Sequence, residues 1–209
     1  MRLCWTSMPL FDAEIPAGHV LSGEKRRLIL PRRYQHHWLS RMTSPHREVW
    51  LETDTEKIAG GGEAFARRVC CMLHQRGALA NLSLRENILL PFLYAGRDDE
   101  LTRANAALSR VAARLEIEDK LDEQAGERSG YMHGLIALAR VLLLRPDFIV
   151  VQDALAGMLP HRQEVFRGLL CGIVDEIGAG VLYLSASTQD GSGLTFCQSL
   201  EFAGAEEGL

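Results

Sequence analysis

The sequence lacks any glycine between Gly23 and Gly60. That stretch therefore cannot form a nest of backbone amides, because the tight, left-handed turns of such a nest carry a steric cost at every Cβ. Long apolar runs are also missing. No window reaches the ~18 consecutive apolar residues of a membrane helix, and the first residues do not set a charged segment before an apolar one as a secretory leader does. A cytoplasmic chain is expected. Positive charge is not in excess: 23 Lys and Arg against 27 Asp and Glu leave a net charge of −4. Nothing drives the whole chain toward nucleic acid, and no nucleic-acid partner is expected. The five cysteines, Cys4, Cys70, Cys71, Cys171 and Cys197, are odd in number and lack metal-ligand spacing. They read as reduced, mostly buried thiols, with no metal site.

What is present is a chain of 209 residues with 47% apolar content, enough for one full core and one domain with a subdomain. The most organised stretch runs from Arg128 to Ala156, RSGYMHGLIALARVLLLRPDFIVVQDALA. Ser129 can cap a helix by accepting a hydrogen bond from a first-turn amide. The apolar residues Met132, Leu135, Ile136, Leu138, Ala139, Leu142 and Leu143 cover more than one face, which predicts a helix enclosed on several sides. Arg145-Pro146-Asp147 breaks that helix. Phe148 to Val151 is a short apolar run of the kind buried on both faces of a parallel sheet, with Gln152 and Asp153 at its carboxyl end. In open α/β sheets ligands collect at that end.

The stretch resembles the signature helix and Walker B strand of ABC-transporter ATP-binding subunits, whose pattern is LSGG, a helix containing ALARAL, a proline, a short strand and Asp-Glu-Pro. Ser129-Gly130, Ala137 to Arg140 and Pro146 stand in register. Val69 to Pro91, VCCMLHQRGALANLSLRENILLP, is similar to that family's strand into the Q-loop, with Gln75 at the glutamine position, followed by the entry to its helical subdomain. The resemblance is strong from Val69 to Leu159 and weaker before it, and its Q-loop region and the ALAR helix resemble the subunits of Mla/Mce-type lipid transporters. It implies a P-loop NTPase fold: an α/β core with a mostly parallel sheet over 1–80 and 129–209, an antiparallel β part at the N-terminus, and a helical subdomain over 81–128. It also implies Gln75, Ser129 and Gly130 as nucleotide contacts and Asn81, Leu82, Ser83, Glu86, Asn87 and Pro91 as the docking segment for a membrane permease.

Several of the family's chemical groups are changed. Its phosphate loop, GxxxxGK(S/T), is expected where this chain reads Pro31 to Trp38, PRRYQHHW. That segment has no glycine, lysine or adjacent hydroxyl for phosphates and Mg²⁺. Gln152 stands at the metal-linked aspartate, Asp153 at the catalytic glutamate, Ala186 at the switch histidine, Tyr131 at the second signature glycine and Leu159 at the dimer-facing aspartate. Phosphoryl transfer in this class depends on positioning and charge stabilisation, so these changes predict a non-hydrolysing subunit that binds no cofactor. The expected partners are a membrane permease and a competent ATP-binding subunit or a second copy, and the expected location is the inner face of the membrane. Two alternatives stay open: a diverged ATPase giving half of a composite site, with ATP and Mg²⁺ as its cofactors, and a phosphate, anionic-lipid or nucleic-acid module using Lys25, Arg26, Arg27, Arg32 and Arg33. A solvated strand edge and loop is the plainer reading of that basic run.

Smaller expectations complete the chain. Residues 1–30 alternate as an antiparallel meander, and either EIPAGHV or LSGEKRRLIL can lead into the first core strand. His36 and His37 are adjacent and cannot face one ligand. Gly60 to Gly62 is a turn. Asp98 to Leu121 is an amphipathic helix with Arg103 and Arg110 opposite its apolar stripe. Pro160 starts a helix with Val165, Leu169, Ile173 and Ile177 buried, ended by Gly178 and Gly180. Val181 to Ser185 and Leu194 to Phe202 are strands. Trp5 reads as a core tryptophan, with adenine stacking as the alternative.

Overall fold

The computed structural model describes residues 1–9, 14–44, 48–73, 77–93, 98–126, 129–187 and 193–201. In chain order the elements are β1 (Arg2–Trp5), β2 (Met8–Pro9), β3 (Glu14–Ile15), β4 (Gly18–Leu21), β5 (Lys25–Ile29), α1 (Arg32–Thr43), β6 (Val49–Glu52), β7 (Lys57–Ala59), α2 (Glu63–Ala66) and β8 (Val69–Met72). They continue with α3 (Leu84–Leu93), α4 (Asp98–Arg114), a 3₁₀ turn at Glu118–Lys120, α5 (Gly130–Leu144), β9 (Phe148–Gln152), α6 (Pro160–Ile177), β10 (Gly180–Ser185) and β11 (Gln198–Glu201).

Five strands form a parallel sheet in the order β11-β5-β10-β9-β8, and four form an antiparallel sheet in the order β4-β1-β6-β7. The parallel sheet separates two cores because strand side chains alternate between faces. Ile149, Val151, Val181 and Tyr183 point into a core shared with α3, α4, α5 and α6. Phe148, Val150, Leu182 and Leu184 point into a second core with α1 and the antiparallel sheet. β9 and β10 are buried along their whole length, which is why they read as continuous apolar runs. Trp5 belongs to the second core: it is 2% exposed, meets Trp38 edge-on and donates its indole N–H to the Pro16 carbonyl at 2.9 Å.

The structure chooses between the two N-terminal registers. β4 pairs antiparallel with β1, and the turn after it, with Gly23 at φ 79°, feeds β5 into the parallel sheet beside β10. The meander therefore ends at Leu21, and LSGEKRRLIL leads into the first core strand. β5 lies between β11 and β10, so its basic residues do not sit on a sheet edge. Residues Arg32 to Trp38 are helical rather than a loop.

Three other boundaries shift. α4 ends at Arg114, because Glu116 adopts φ 56° and the chain turns before the 3₁₀ segment. α6 buries Phe166, Leu170, Ile173 and Val174, whereas Val165 is 49% exposed and Leu169 and Ile177 are half-buried. Phe166 fixes that rotation by packing over Gly134 of α5, where an added Cβ would lie 2.5 Å from its ring. Gly178, at φ 69°, ends α6, while Gly180 is already in β10, where a Cβ would lie 2.6 Å from the Leu21 carbonyl. Of the expected last strand, Gln198–Glu201 is extended, 194–197 are not, and Phe202 lies outside the described residues.

Candidate functional site

The carboxyl ends of β5, β9 and β10 meet at one edge of the parallel sheet. β5 reaches α1 through Leu30 and Pro31 alone. Pro31 fits there because it has φ −53° and no N–H to leave unpaired. Leu30 is buried, and its amide donates to the Ser185 carbonyl at 2.9 Å. A two-residue connection without glycine has no length to wrap a phosphate.

Behind this connection two neutral amides fill the interior. Gln152 Nε2 donates to Gln35 Oε1 at 3.1 Å, and Gln35 Nε2 donates to the Leu30 carbonyl at 3.0 Å. Gln35 is fully buried and Gln152 is 6% exposed, so the pair satisfies groups that would otherwise be costly to bury. Gln35 carried no sequence signal beyond the need of a buried Gln152 for a neutral partner.

Asp153 follows in the left-handed region, at φ 42°, a conformation that Asp tolerates better than most residues. Its carboxylate accepts from Arg32 Nε at 2.9 Å. The Arg32 side chain is 68% exposed and that of Asp153 11%, so solvent screens the pair from the arginine's side. Beside it opens a cleft of about 230 Å³ lined by Arg32, Asp153, Gln163, Tyr183, Ser185 and Ala186 among others. Ala186 is exposed and brings no titratable group.

The basic run does not converge on this cleft. Lys25 pairs with Asp175, Arg26 with Glu24 at 3.1 Å, Arg27 stacks on Phe196 at 4.3 Å and Arg33 on Tyr34 at 4.6 Å. Only Arg32 lines the cleft. Among the described residues no group of three His, Cys, Asp or Glu could hold a metal ion.

Ser129 caps α5 as its sequence implies, accepting from the Met132 amide at 3.4 Å. Gly130 lies against the 156–157 turn, where a Cβ would stand 3.2 Å from the Ala156 carbonyl. Tyr131 folds back onto α6, edge-on to Phe166 at 6.3 Å and under the Arg162 guanidinium at 4.8 Å. Met132 and Leu143 are half-buried rather than core, and Leu159 is 64% exposed. Burial pushes the Cys70 thiol up to about 11 and also raises that of Cys71, which disfavours the reactive thiolate at both.

Gln75 lies outside the described residues. From residue 77 the chain turns into α3. Ser83 and Glu86 form a capping box: the Ser83 amide donates to Glu86 Oε2 at 2.7 Å, and the Glu86 amide to Ser83 Oγ at 3.1 Å. Asn87 does not belong to an exposed docking face. It is fully buried, accepts from the Leu79 amide at 2.7 Å and donates to the carbonyls of Leu79, Leu82 and Ser83. Arg140 of α5 donates Nε and Nη2 to the Asn87 carbonyl at 2.9 and 2.7 Å. Its signal was a cation in an otherwise apolar helix, which needs acceptors when buried. The turn so held presents Leu79, 46% exposed, with Ala80 and Asn81, while Leu93 at the far end of α3 is 52% exposed. Leu82, Ser83 and Pro91 are half-buried and Glu86 is exposed.

No family model matches the sequence. Curated relatives do. The chain is 26% identical over 119 residues to methionine import ATP-binding protein MetN 1 of Rhodococcus jostii, covering 57% of this chain and 35% of that protein. It is 26% identical over 153 residues to the tungstate uptake system ATP-binding protein TupC of Peptoclostridium acidaminophilum, covering 73% and 69%. Against the lipoprotein-releasing system ATP-binding protein LolD of Hyphomonas neptunium it is 30% identical over 123 residues, covering 58% and 53%. Its homologues are ATP-binding subunits of ABC transporters. The matches span little over a third of the two methionine-import relatives, at 35% and 38% of their lengths. Among solved structures, the ADP conformation of MJ1267, an ATP-binding cassette of an ABC transporter, superposes with a TM-score of 0.67 at 16% identity over 90% of this chain and 82% of that one. An ATP-binding subunit of an ABC transporter superposes with a TM-score of 0.65 at 16% identity, covering 88% and 79%. The fold is thus that of an ABC ATPase cassette, a P-loop NTPase architecture.

Proposed function

We propose that the chain is a non-hydrolysing cassette that keeps the fold and the docking surface of an ABC ATP-binding subunit and acts as a structural or regulatory partner of a membrane permease. The observation that carries this reading is the sheet edge itself. The two-residue link from β5 to α1 is too short to wrap a phosphate, and the buried Gln152–Gln35 pair lies where the resemblance would set a metal-linked aspartate. A neutral amide is a poor ligand for a hard cation, and Asp153 is already held by Arg32. These residues do not fit magnesium nucleotide as the family binds it. Rigid presentation of Leu79, Ala80 and Asn81, pinned from below by Asn87 and Arg140, supports docking on a partner. Among the described residues no helix is long and apolar enough to cross a membrane, so the reading places the chain against a permease rather than within the bilayer.

The test is purification of the tagged chain from its native membrane. A permease subunit should co-purify, and Leu79→Asp should release it without changing the melting midpoint. Recovery with neither a permease nor another ATP-binding subunit would end the reading.

A second reading, a diverged ATPase completed by another chain, draws on Asp153, whose carboxylate lines the open cleft. In that case Asp153→Ala would lower the ATPase rate of the purified complex. An unchanged rate removes this alternative.

A further inference from the structure

On the flank formed by α3, α4 and the carboxyl end of α5, away from the sheet edge, lies a cavity of about 320 Å³. That volume is at the low end of the ~300–1,000 Å³ usual for small-molecule sites. Its floor is apolar: Phe92 from α3, Ala104, Ala107 and Val111 from α4, and Leu142 from α5. Larger residues in place of the two alanines would fill part of this space. Arg103 and Arg110 flank Ala107 at helical spacing on one stripe of α4, and Arg145 joins them from the left-handed cap of α5 at φ 46°. They therefore rim a cavity rather than merely facing solvent opposite the apolar stripe.

These cations are weakly committed. Arg103 Nε reaches only a backbone acceptor, the Asp99 carbonyl at 3.3 Å. Arg110 has no hydrogen-bond or ion-pair partner among the described residues. Arg145 is 3.9 Å from Glu176, which Arg114 already holds at 2.7 Å. The acidic lining residue, Glu100, is paired with Arg67 at 2.8 Å. The α5 carboxyl terminus adds a partial charge of roughly −0.5, which three guanidiniums outweigh. A positive rim over an apolar floor, in a chain of net charge −4, is complementary to a ligand with a negative head and a short apolar body.

We propose that this cavity is a binding site for a small amphipathic anion, a carboxylate or phosphate carried on an apolar chain. Guanidinium forks match both headgroups, and the alanine-lined floor takes the chain.

Decanoate titrated calorimetrically into the full-length protein is the direct probe, with inorganic phosphate and octyl glucoside below its micelle concentration as charge-only and apolar-only controls. Saturable decanoate binding is expected, weakened at least about tenfold by Arg110→Glu and by Ala107→Leu, weaker at higher ionic strength, and not reproduced by either control. Melting midpoints confirm that both variants fold, and exposed Arg103→Ala serves if Ala107→Leu does not. Phosphatidylglycerol and phosphatidylcholine vesicles separate the sources. Capture by the anionic vesicles alone, competed by decanoate and lost in Arg110→Glu, assigns the site to a lipid; decanoate binding without vesicle capture assigns it to a free acid. Absent decanoate binding, equal affinity for phosphate alone, or affinity unchanged in the variants would overturn the proposal.

Discussion

Gln152 concentrates the chemistry of the sheet edge in one side chain. It is buried, neutral and bonded to another neutral amide, so a carboxylate there has no cation to meet. Gln152→Asp is expected to cost about 2–4 kcal/mol at neutral pH, against about 1–3 kcal/mol for Gln152→Leu, which leaves only Gln35 short of a donor. Burial would raise the new carboxyl above its unfolded pKa of about 3.9. The folded state would then bind more protons than the unfolded one, and stability would be lost as pH rises from that value through the raised folded pKa. Denaturant melts at pH 4 and pH 7 check this: the gap between the two variants should open toward pH 7. Asp153 gives a second test at this scale. Asp153→Gly relieves the left-handed backbone and loses only a screened ion pair, so it should shift stability by less than about 1 kcal/mol. Asp153→Val puts a β-branched residue at φ 42° and should cost at least about 1 kcal/mol more. Equal melting midpoints for the two variants would contradict this account of the turn.

At the scale of elements, α3 and the turn before it depend on a few polar contacts. Asn87→Ala would leave the Leu79 amide and the carbonyls that Asn87 serves without their partner. A loss of about 2–4 kcal/mol is expected, with faster amide exchange confined first to 79–83. Glu86 supplies a pH signature. Hydrogen bonds from the Ser83 amide and hydroxyl hold its carboxyl below the ordinary value of 4.5. Its contribution is therefore fully present above pH 4.5 and is lost as pH falls through the lowered folded pKa. Glu86→Gln should flatten that part of the acid limb and leave the slope above pH 6 unchanged. These elements also mark how far the sequence was legible. The α5 cap, β9, β10 and the start of α6 could be read because each is a local signal: a serine before an apolar helix, a short apolar run, a proline at a first turn. The rotation of α6 could not, because Phe166 is drawn inward by the space above Gly134 on a different element. Nor could the role of Asn87, since an Asn near a helix start reads equally as an exposed contact or a buried anchor until its partners in the preceding turn are known.

For the whole molecule, the parallel order β11-β5-β10-β9-β8 places Gln152, Asp153 and Ala186 at the carboxyl ends of the adjacent strands β9 and β10, on one edge. The lack of glycine over Pro31 to Trp38 is legible in the sequence, but not how the interior behind that stretch is closed. Closure needed Gln35, 117 positions from its partner Gln152, and no local pattern joins residues so far apart. The central claim is that this edge no longer holds a magnesium nucleotide, and calorimetric titration of the purified chain with MgATP to millimolar concentration tests it most directly. The account predicts no saturable heat, with the Gln152→Leu variant equally silent. Saturable binding of MgATP would contradict it, and would mean that other residues of this cassette have taken over the work of the phosphate loop.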